Sequence, residues 1–258
     1  MQDLLIEHDG HVLILTLNRT HKHNAFDDAL LAELQTALDT AIENPTVRII
    51  MLRANGRHFS AGADLDWMQR MAGFDEAENI ADAKALAQVL DTLHHSPKPT
   101  LAAVQGAAFG GGAGLVAACD IAIAADNAQF CFSEVKLGLI PAVISPYVVR
   151  AIGERTANWL FMSADKIDAR TALNCNLVHH LIPEEELPAY AHQYARNLAS
   201  LAPKAVQDAK KLVQTVSGQP INAALQDITA GLIAKKRAST EGKQGMHAFL
   251  NKETPIWD

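Results

Sequence analysis

The sequence predicts an α/β fold in which short buried strands alternate with amphipathic helices and the chemistry sits at strand ends. Three observations predict it. Apolar, β-branched runs alternate with segments whose apolar residues recur at helical spacing, and two stretches of small residues lie where a strand-like run gives way to a helix-like one. The last third of the chain is nearly all helix-like. At 258 residues the chain can bury a sizeable interior, as one large domain or as a core with a smaller appendage.

Taken in order, Val12 to Leu17 is short, apolar and β-branched and reads as a buried strand, followed by the polar loop Asn18 to Asn24. Leu30, Leu34, Leu38 and Ile42 then recur at helical spacing behind Asp27 and Asp28, which suit an N-terminal cap. Val47 to Leu52 is the next strand, and one helical region runs through Met68, Met71 and Ala81 to Leu93. Thr100 to Val104 is a strand leading into the second small-residue stretch, with Leu115 to Ala118 in the helix beyond it. Ile121 to Ala125 and Phe130 to Phe132 are further short strands.

Ala169 to Leu173 is helical and stops at Asn174-Cys175-Asn176, where an asparagine can take the left-handed conformation. After Val178 to Ile182, helices are expected over Glu184 to Leu198, Pro203 to Val216, Ile221 to Lys236 and Ser239 to Asn251. Pro203 at a helix start and Gly218-Gln219-Pro220 between helices punctuate them. The expected division is a core over 1–197 and a helical C-terminal subdomain over 198–258.

Composition removes several classes of function. The balance of 22 basic against 29 acidic residues, a formal charge of -7, argues against a non-specific nucleic-acid binder. Cys119, Cys131 and Cys175 are too few and too scattered for a disulfide framework, and Asp3, Glu7 and Asp9 interrupt the start where a signal sequence needs an apolar core. A cytoplasmic setting is the expectation. The uncharged stretch between Lys98 and Asp120 is long enough to span a bilayer, but Pro99, Gln105 and its glycines suit a strand, a turn and a short helix instead.

The two small-residue stretches are Arg57 to Leu65 and Gly106 to Gly114. Each can present bare backbone amides at a strand-to-helix turn, and two such turns side by side would make an oxyanion hole for a carbonyl. Nucleotide readings of the glycines fail. A dinucleotide fingerprint needs glycine at its sixth position, where counting from Gly110 gives Leu115 and from Gly112 gives Ala117. A phosphate loop needs Gly-Lys-Ser/Thr at its end, and Gly111 is followed by Gly112 and Ala113.

Phe59-Ser60-Ala61-Gly62-Ala63-Asp64-Leu65, Gly106-Ala-Ala-Phe-Gly-Gly-Gly112, Cys119-Asp120-Ile121 and Ser133-Glu134-Val135-Lys136-Leu137-Gly138 together resemble the crotonase (enoyl-CoA hydratase/isomerase) superfamily. Leu17-Asn18-Arg19, Asn24-Ala25 and Ala248-Phe249-Leu250-Asn251-Lys252 add to the resemblance, which covers essentially the whole chain in order. It implies a spiral of strand-strand-helix turns, with C-terminal helices that pack in homotrimers or homohexamers. It also implies an acyl-coenzyme A substrate and no cofactor, since the coenzyme A is part of that substrate.

Carried over by position, the amides of Ala63 and Gly111 would hold the thioester oxygen, and Glu134 would be the acid and base. A carboxyl group in an apolar cleft has a raised pKa and can serve in turn as both. Ser60, Ala61, Gly62 and Gly110 would line the coenzyme A path through backbone groups. Lys252 would reach its 3'-phosphate, in its own or a neighbouring subunit, against the alternative of a solvated terminal lysine, and Lys22 is a weaker phosphate candidate. Trp67 and Met68 could line the acyl pocket, although a stripe at that spacing equally makes core. Tyr147, behind Pro146, could point its hydroxyl into the cleft or pack as core. Asp64 is expected to brace a loop or helix start. His94-His95 and His179-His180 lack the partners a metal site needs, so no metal is expected.

Two departures refine the expectation. Gly114 stands where typical hydratases of this family carry a second glutamate that helps hold the attacking water; a single glutamate resembles both isomerases of the family and bacterial hydratases of branched glutaconyl-CoA substrates. The run Leu139 to Arg155 is similar to hydratases of branched glutaconyl-CoA type, including methylglutaconyl-CoA, which favours addition of water across an enoyl-CoA double bond. Double-bond isomerisation is the alternative, and an inactive acyl-CoA-binding scaffold is the alternative of another class.

Overall fold

The computed structural model describes residues 2–257. Nine strands are distributed over two sheets: β1 (Leu4–Asp9), β2 (Val12–Leu17), β3 (Ile49–Ala54), β4 (Thr100–Val104), β5 (Ala107–Phe109), β6 (Ile121–Ala125), β7 (Gln129–Cys131), β8 (Ile167–Asp168) and β9 (His180–Ile182). Between them lie α1 (Asp28–Glu43), α2 (Leu65–Met71), α3 (Glu76–His95), α4 (Gly111–Ala118), α5 (Ser145–Ser163) and α6 (Ala169–Asn174). After β9 come α7 (Leu187–Ala199), α8 (Pro203–Val216), α9 (Ala223–Ala238) and α10 (Thr240–Asn251).

The larger sheet has the order β1-β2-β3-β4-β6-β9 and is parallel except for the β1-β2 hairpin; the smaller has the order β5-β7-β8. The chain therefore steps from one sheet to the other and then through a helix before returning: β4, β5, α4, then β6, β7, α5. This is the expected spiral. It is built from runs that are apolar throughout because the larger sheet is covered on both faces. Val12, Ile14, Ile49, Met51, Leu101 and Ala103 pack under α7, whereas Leu13, Leu15, Leu17, Ile50, Leu52 and Ala102 face the interior shared with α1, α3 and α4.

The expected elements that rest on strong periodicity appear within a residue or two. Asp27 caps α1 by accepting from Leu30 N at 2.9 Å, and Asn176 is left-handed at φ 66° after α6. The uncharged stretch after Lys98 is β4, β5 and α4, and among the described residues no helix is long and apolar enough to cross a membrane. One expectation is corrected. The continuous helical region from Met68 to Leu93 is two helices, broken where Asp75 and Glu78 form a reciprocal capping box that starts α3.

The hinge between the two sheets is the turn after β4. Gly106 sits there at φ +57°, and a Cβ on it would run into the carbonyl oxygen of Arg57 and lie 2.8 Å from His58 Nδ1. Neither obstacle can move, because Gln105 O and Ala107 N on either side are hydrogen-bonded to Phe59 N and His58 Nδ1. Gly106→Ala is expected to lower unfolding free energy by on the order of 3 kcal/mol, measured as the shift of the denaturant midpoint at unchanged slope.

Candidate active site

The two small-residue turns are neighbours because the spiral lays them on adjacent rungs. Phe59 N donates to Gln105 O at 2.8 Å, Ser60 N to Ala107 O at 3.0 Å, and Phe109 N back to Ser60 O at 3.0 Å. Ser60 thereby extends the edge of the smaller sheet, pairing with Ala108, and Phe26 pairs in turn with Ala63. Packing is close enough to require small residues. A Cβ on Gly112 would stand 2.9 Å from Ser60 Cβ, and one on Gly62 would stand 3.1 Å from Phe109 O.

At the meeting point two amides are left over. Phe26 N donates to Gly62 O and Asp64 N to Phe26 O, each at 2.9 Å, so the intervening Ala63 N–H points away from Phe26. Gly110 N is taken by Cys131 O at 2.8 Å, and Gly111 opens α4. Among the described residues neither Ala63 N nor Gly111 N donates to a protein acceptor. Free donors at a helix start are where a developing negative charge is best received.

A buried guanidinium fixes the first turn. Arg19 contacts Asp27 Oδ2 at 3.0 Å, Asp64 Oδ2 at 3.2 Å and Asp3 Oδ2 at 3.1 Å, and donates to Ala25 O at 3.0 Å. Asp27 and Asp64 are the N-caps of α1 and α2, so one cation ties two helix starts together. Burial pushes the Asp64 carboxyl up, but the Lys22 ammonium and the amides of Asp66 and Trp67 outweigh this and hold it below its ordinary value. Asp64 is a brace, as expected. Lys22 is engaged by Asp64 and Asp66.

Glu134 begins a short 3₁₀ turn, Glu134–Leu137, immediately after β7 and Ser133. Its Oε1 lies 3.2 Å from where a Cβ on Gly110 would be, so the bare glycine is what lets the carboxyl come up against the second turn. Oε2 is enclosed and has no hydrogen-bond partner among the described residues. Burial raises the pKa of this carboxyl above the ordinary glutamate value. An enclosed carboxyl with a free oxygen beside unpaired amides is equipped to exchange a proton with a bound molecule.

The place of a second acid is filled. A Cβ on Gly114 would collide with Ile144 Cγ2 and lie 2.8 Å from Ile144 Cβ, with Leu90 Cδ2 at 3.8 Å. Ile144 is itself buried, so this side of the site is an apolar wall.

The remaining sequence candidates divide. Ser60 is buried, with its Oγ accepting from Gly62 N at 3.2 Å, and Ala61 is exposed, with its N donating to His23 O at 3.0 Å. Trp67 is buried against the Phe26 ring at 6.1 Å and donates Nε1 to Asp82 at 2.9 Å, with half-buried Met68 next to it. Tyr147 is not brought to the turns. One helical turn beyond Ile144, it stacks edgewise on His94 at 5.5 Å and lines a cavity of ≈ 560 Å³ with Asp120, Arg150 and Lys210, which neither glycine turn lines. Lys252 ends α10 in the left-handed conformation and is exposed, on a helix that packs against α8 and α9. Arg19 and Ile144 enter the sequence reading only within longer motifs and Phe26 carries no sign of its role there, although an arginine and two aspartates ahead of a helix start are a readable sign of a buried cap.

A model of the enoyl-CoA hydratase/isomerase family matches residues 7–258. A provisionally assigned enoyl-CoA hydratase/isomerase (crotonase) from Legionella pneumophila has a solved structure that superposes with a TM-score of 0.97, at 57% identity over 99% of each chain. The 2,3-dehydroadipyl-CoA hydratase of Escherichia coli K12 is 34% identical over 99% of this chain and 98% of its own. The crotonyl-CoA hydratase of Syntrophomonas wolfei is 30% identical over 97% of this chain and 96% of its own.

Removing the cation that ties the helix starts tests the brace. Arg19→Met leaves Asp64 buried with Lys22 as its remaining cation, and the expected cost is about 3–5 kcal/mol in chemical denaturation.

Proposed function

The chain belongs to the enoyl-CoA hydratase/isomerase family, and from that premise we propose that it acts as an enoyl-CoA hydratase in which one carboxyl group, Glu134, carries the acid-base chemistry. The amides of Ala63 and Gly111 hold the thioester oxygen. The Glu134 carboxylate takes a proton from water as the water oxygen bonds to the β-carbon, and the double-bond electrons move onto the thioester as an enolate. Protonated Glu134 then gives that proton to the α-carbon, so that H and OH have added across the double bond and the carboxylate is regenerated. The observation that carries this reading is the Glu134 carboxyl, whose Oε1 is held against Gly110 next to the unpaired amide of Gly111 while its enclosed Oε2 has no partner among the described residues. No cofactor is needed beyond the coenzyme A of the substrate.

The substrate is proposed to be a branched or ω-carboxylated enoyl-CoA. The similarity of Leu139 to Arg155 to glutaconyl-type hydratases supports this, as does a full-length relative named for a dehydroadipyl thioester. Ser60, Ala61, Gly62 and Gly110 line the path of the thioester arm, Trp67 and Met68 back its acyl end, and Lys252 meets a coenzyme A phosphate at a subunit boundary. The apolar wall of Ile144 favours one second reading, isomerisation, in which Glu134 moves a proton between two carbons without water.

Turnover of methylglutaconyl-CoA and crotonyl-CoA in ¹⁸O-labelled water separates these. Hydration predicts label in the product, with kcat/KM higher on the branched thioester; a shifted double bond without label would identify the isomerase. Glu134→Gln is expected to lower kcat by about 10²–10⁴. The acid limb of kcat/KM should lie above the ordinary glutamate value, because burial raises this pKa and the carboxylate is the active form, and it should vanish in Glu134→Gln. A carboxyl whose folded pKa is raised destabilises the fold as pH rises through that value, so the Gln variant should be at least as stable as wild type at neutral pH.

The helices after residue 198 are proposed to be an assembly subdomain. Ile221, Phe249 and Leu250 are 89%, 82% and 78% exposed, and the adjacent pair Phe249-Leu250 on α10 is an apolar surface that a neighbouring subunit would cover. Sedimentation is expected to give a trimer or a hexamer, and Leu250→Glu to dissociate it.

A further inference from the structure

Phe26 touches both halves of the oxyanion hole. Its backbone holds the first turn, because its N donates to Gly62 O and its O accepts from Asp64 N, each at 2.9 Å, which leaves Ala63 N turned outward. Its ring holds the second. Cζ lies under Gly111, in the space a Cβ there would fill, with Cε1 and Cε2 at 3.2 and 3.3 Å from that position. The ring has no room to retreat, being buried and backed by Trp67 at 6.1 Å.

We propose that Phe26 is a positioning residue that sets the separation of the two amide donors. One rigid side chain spans from a peptide hydrogen-bonded across Ala63 to an edge in contact with Gly111. The distance between those two amides is thus fixed by the length of a phenylalanine, with no adjustable contact between. Two donors stabilise a transition-state oxygen only if both are at hydrogen-bond distance from one point, and misplacement by about 1 Å can cost about 10²-fold in rate. Glycine at 111 follows as a requirement of the spacer as well as of the ligand, since any Cβ would meet the ring first. The inference rests on the reading of Ala63 and Gly111 as the donors.

The test uses the whole enzyme and butyryl-CoA labelled with ¹³C at the thioester carbonyl, whose stretching frequency falls when the oxygen is hydrogen-bonded. Wild type should lower it strongly relative to water. Phe26→Leu, which shortens the spacer, and Phe26→Tyr, which lengthens it by one oxygen at Cζ, should each lose part of that lowering. Both should drop kcat by about 10–10²-fold with KM within about threefold. Gly111→Ala alone should be nearly inactive, and adding Phe26→Leu should restore at least about tenfold, the non-additivity expected of two residues in contact. If Phe26→Leu and Phe26→Tyr keep the wild-type frequency and kcat while only melting earlier, Phe26 is core and the proposal is overturned with the oxyanion hole intact. If wild type itself leaves the frequency as in water, the assignment of the donors fails and the spacer with it. Strictly additive losses in the Gly111→Ala, Phe26→Leu pair would also overturn it.

Discussion

Two peptide N–H groups from distant parts of the chain can face one oxygen atom only if their segments are held in register by something stiffer than a loop. For the donors proposed here, Ala63 and Gly111, the stiff element is the pairing of Ser60 with Ala108, through which the first turn becomes an extra rung on the smaller sheet. Everything in the site is measured from that rung. The Ser60 hydrogen bonds set where Gly62 passes Phe109, and Gly112 can lie on Ser60 because neither side of that contact carries a bulky group. The many glycines are the consequence of two backbones approaching within van der Waals distance, and the unsatisfied amides are the residue of a ladder that ends there.

Carboxylates near this rung are treated in opposite ways. Asp64 is buried but surrounded by Arg19, Lys22 and two amides, so that its charge is favoured and its position fixed. Glu134 is enclosed with one oxygen unanswered, so that its charge is disfavoured and its proton is exchangeable. Arg19 and Lys22 pair with Asp64, and among the described residues no cation pairs with Glu134. This contrast supports the proposed assignment of Glu134 as the acid and base more than burial alone does.

Much of this was readable in the amino-acid order. Strands β2, β4 and β6 and helices α1 and α8 follow from apolar period and caps; the turns before helix starts suggested bare amides, and the family resemblance picked out those of Ala63 and Gly111. What escaped has physical causes. Strand β1 keeps only Leu4 buried, so its edge position leaves little alternation to detect, and β5 is only three residues, Ala107 to Phe109, that owe their conformation to pairing with β7 and Ser60. The break between α2 and α3 is decided by a local capping box that overrides a continuing apolar period. The alternatives for Tyr147, cleft or core, differ by a few residues of helix phase that the sequence does not fix; it packs on the core and lines the cavity at the Ala118 end of α4. Ile144 and Phe26 matter through what faces them, and neither Gly114 nor Gly111 lies near them in the chain.

The interlocking of Ile144 with Gly114 has a consequence for how such sites can change over generations. A glutamate could enter at 114 only after 144 had shrunk, and a smaller residue at 144 opens a void in a packed wall before any acid is there to use it. Either step alone is a loss, so the path between a one-acid and a two-acid site crosses a valley. A lineage that has taken the glycine-isoleucine pair is held in it by packing, whatever advantage a second acid would bring.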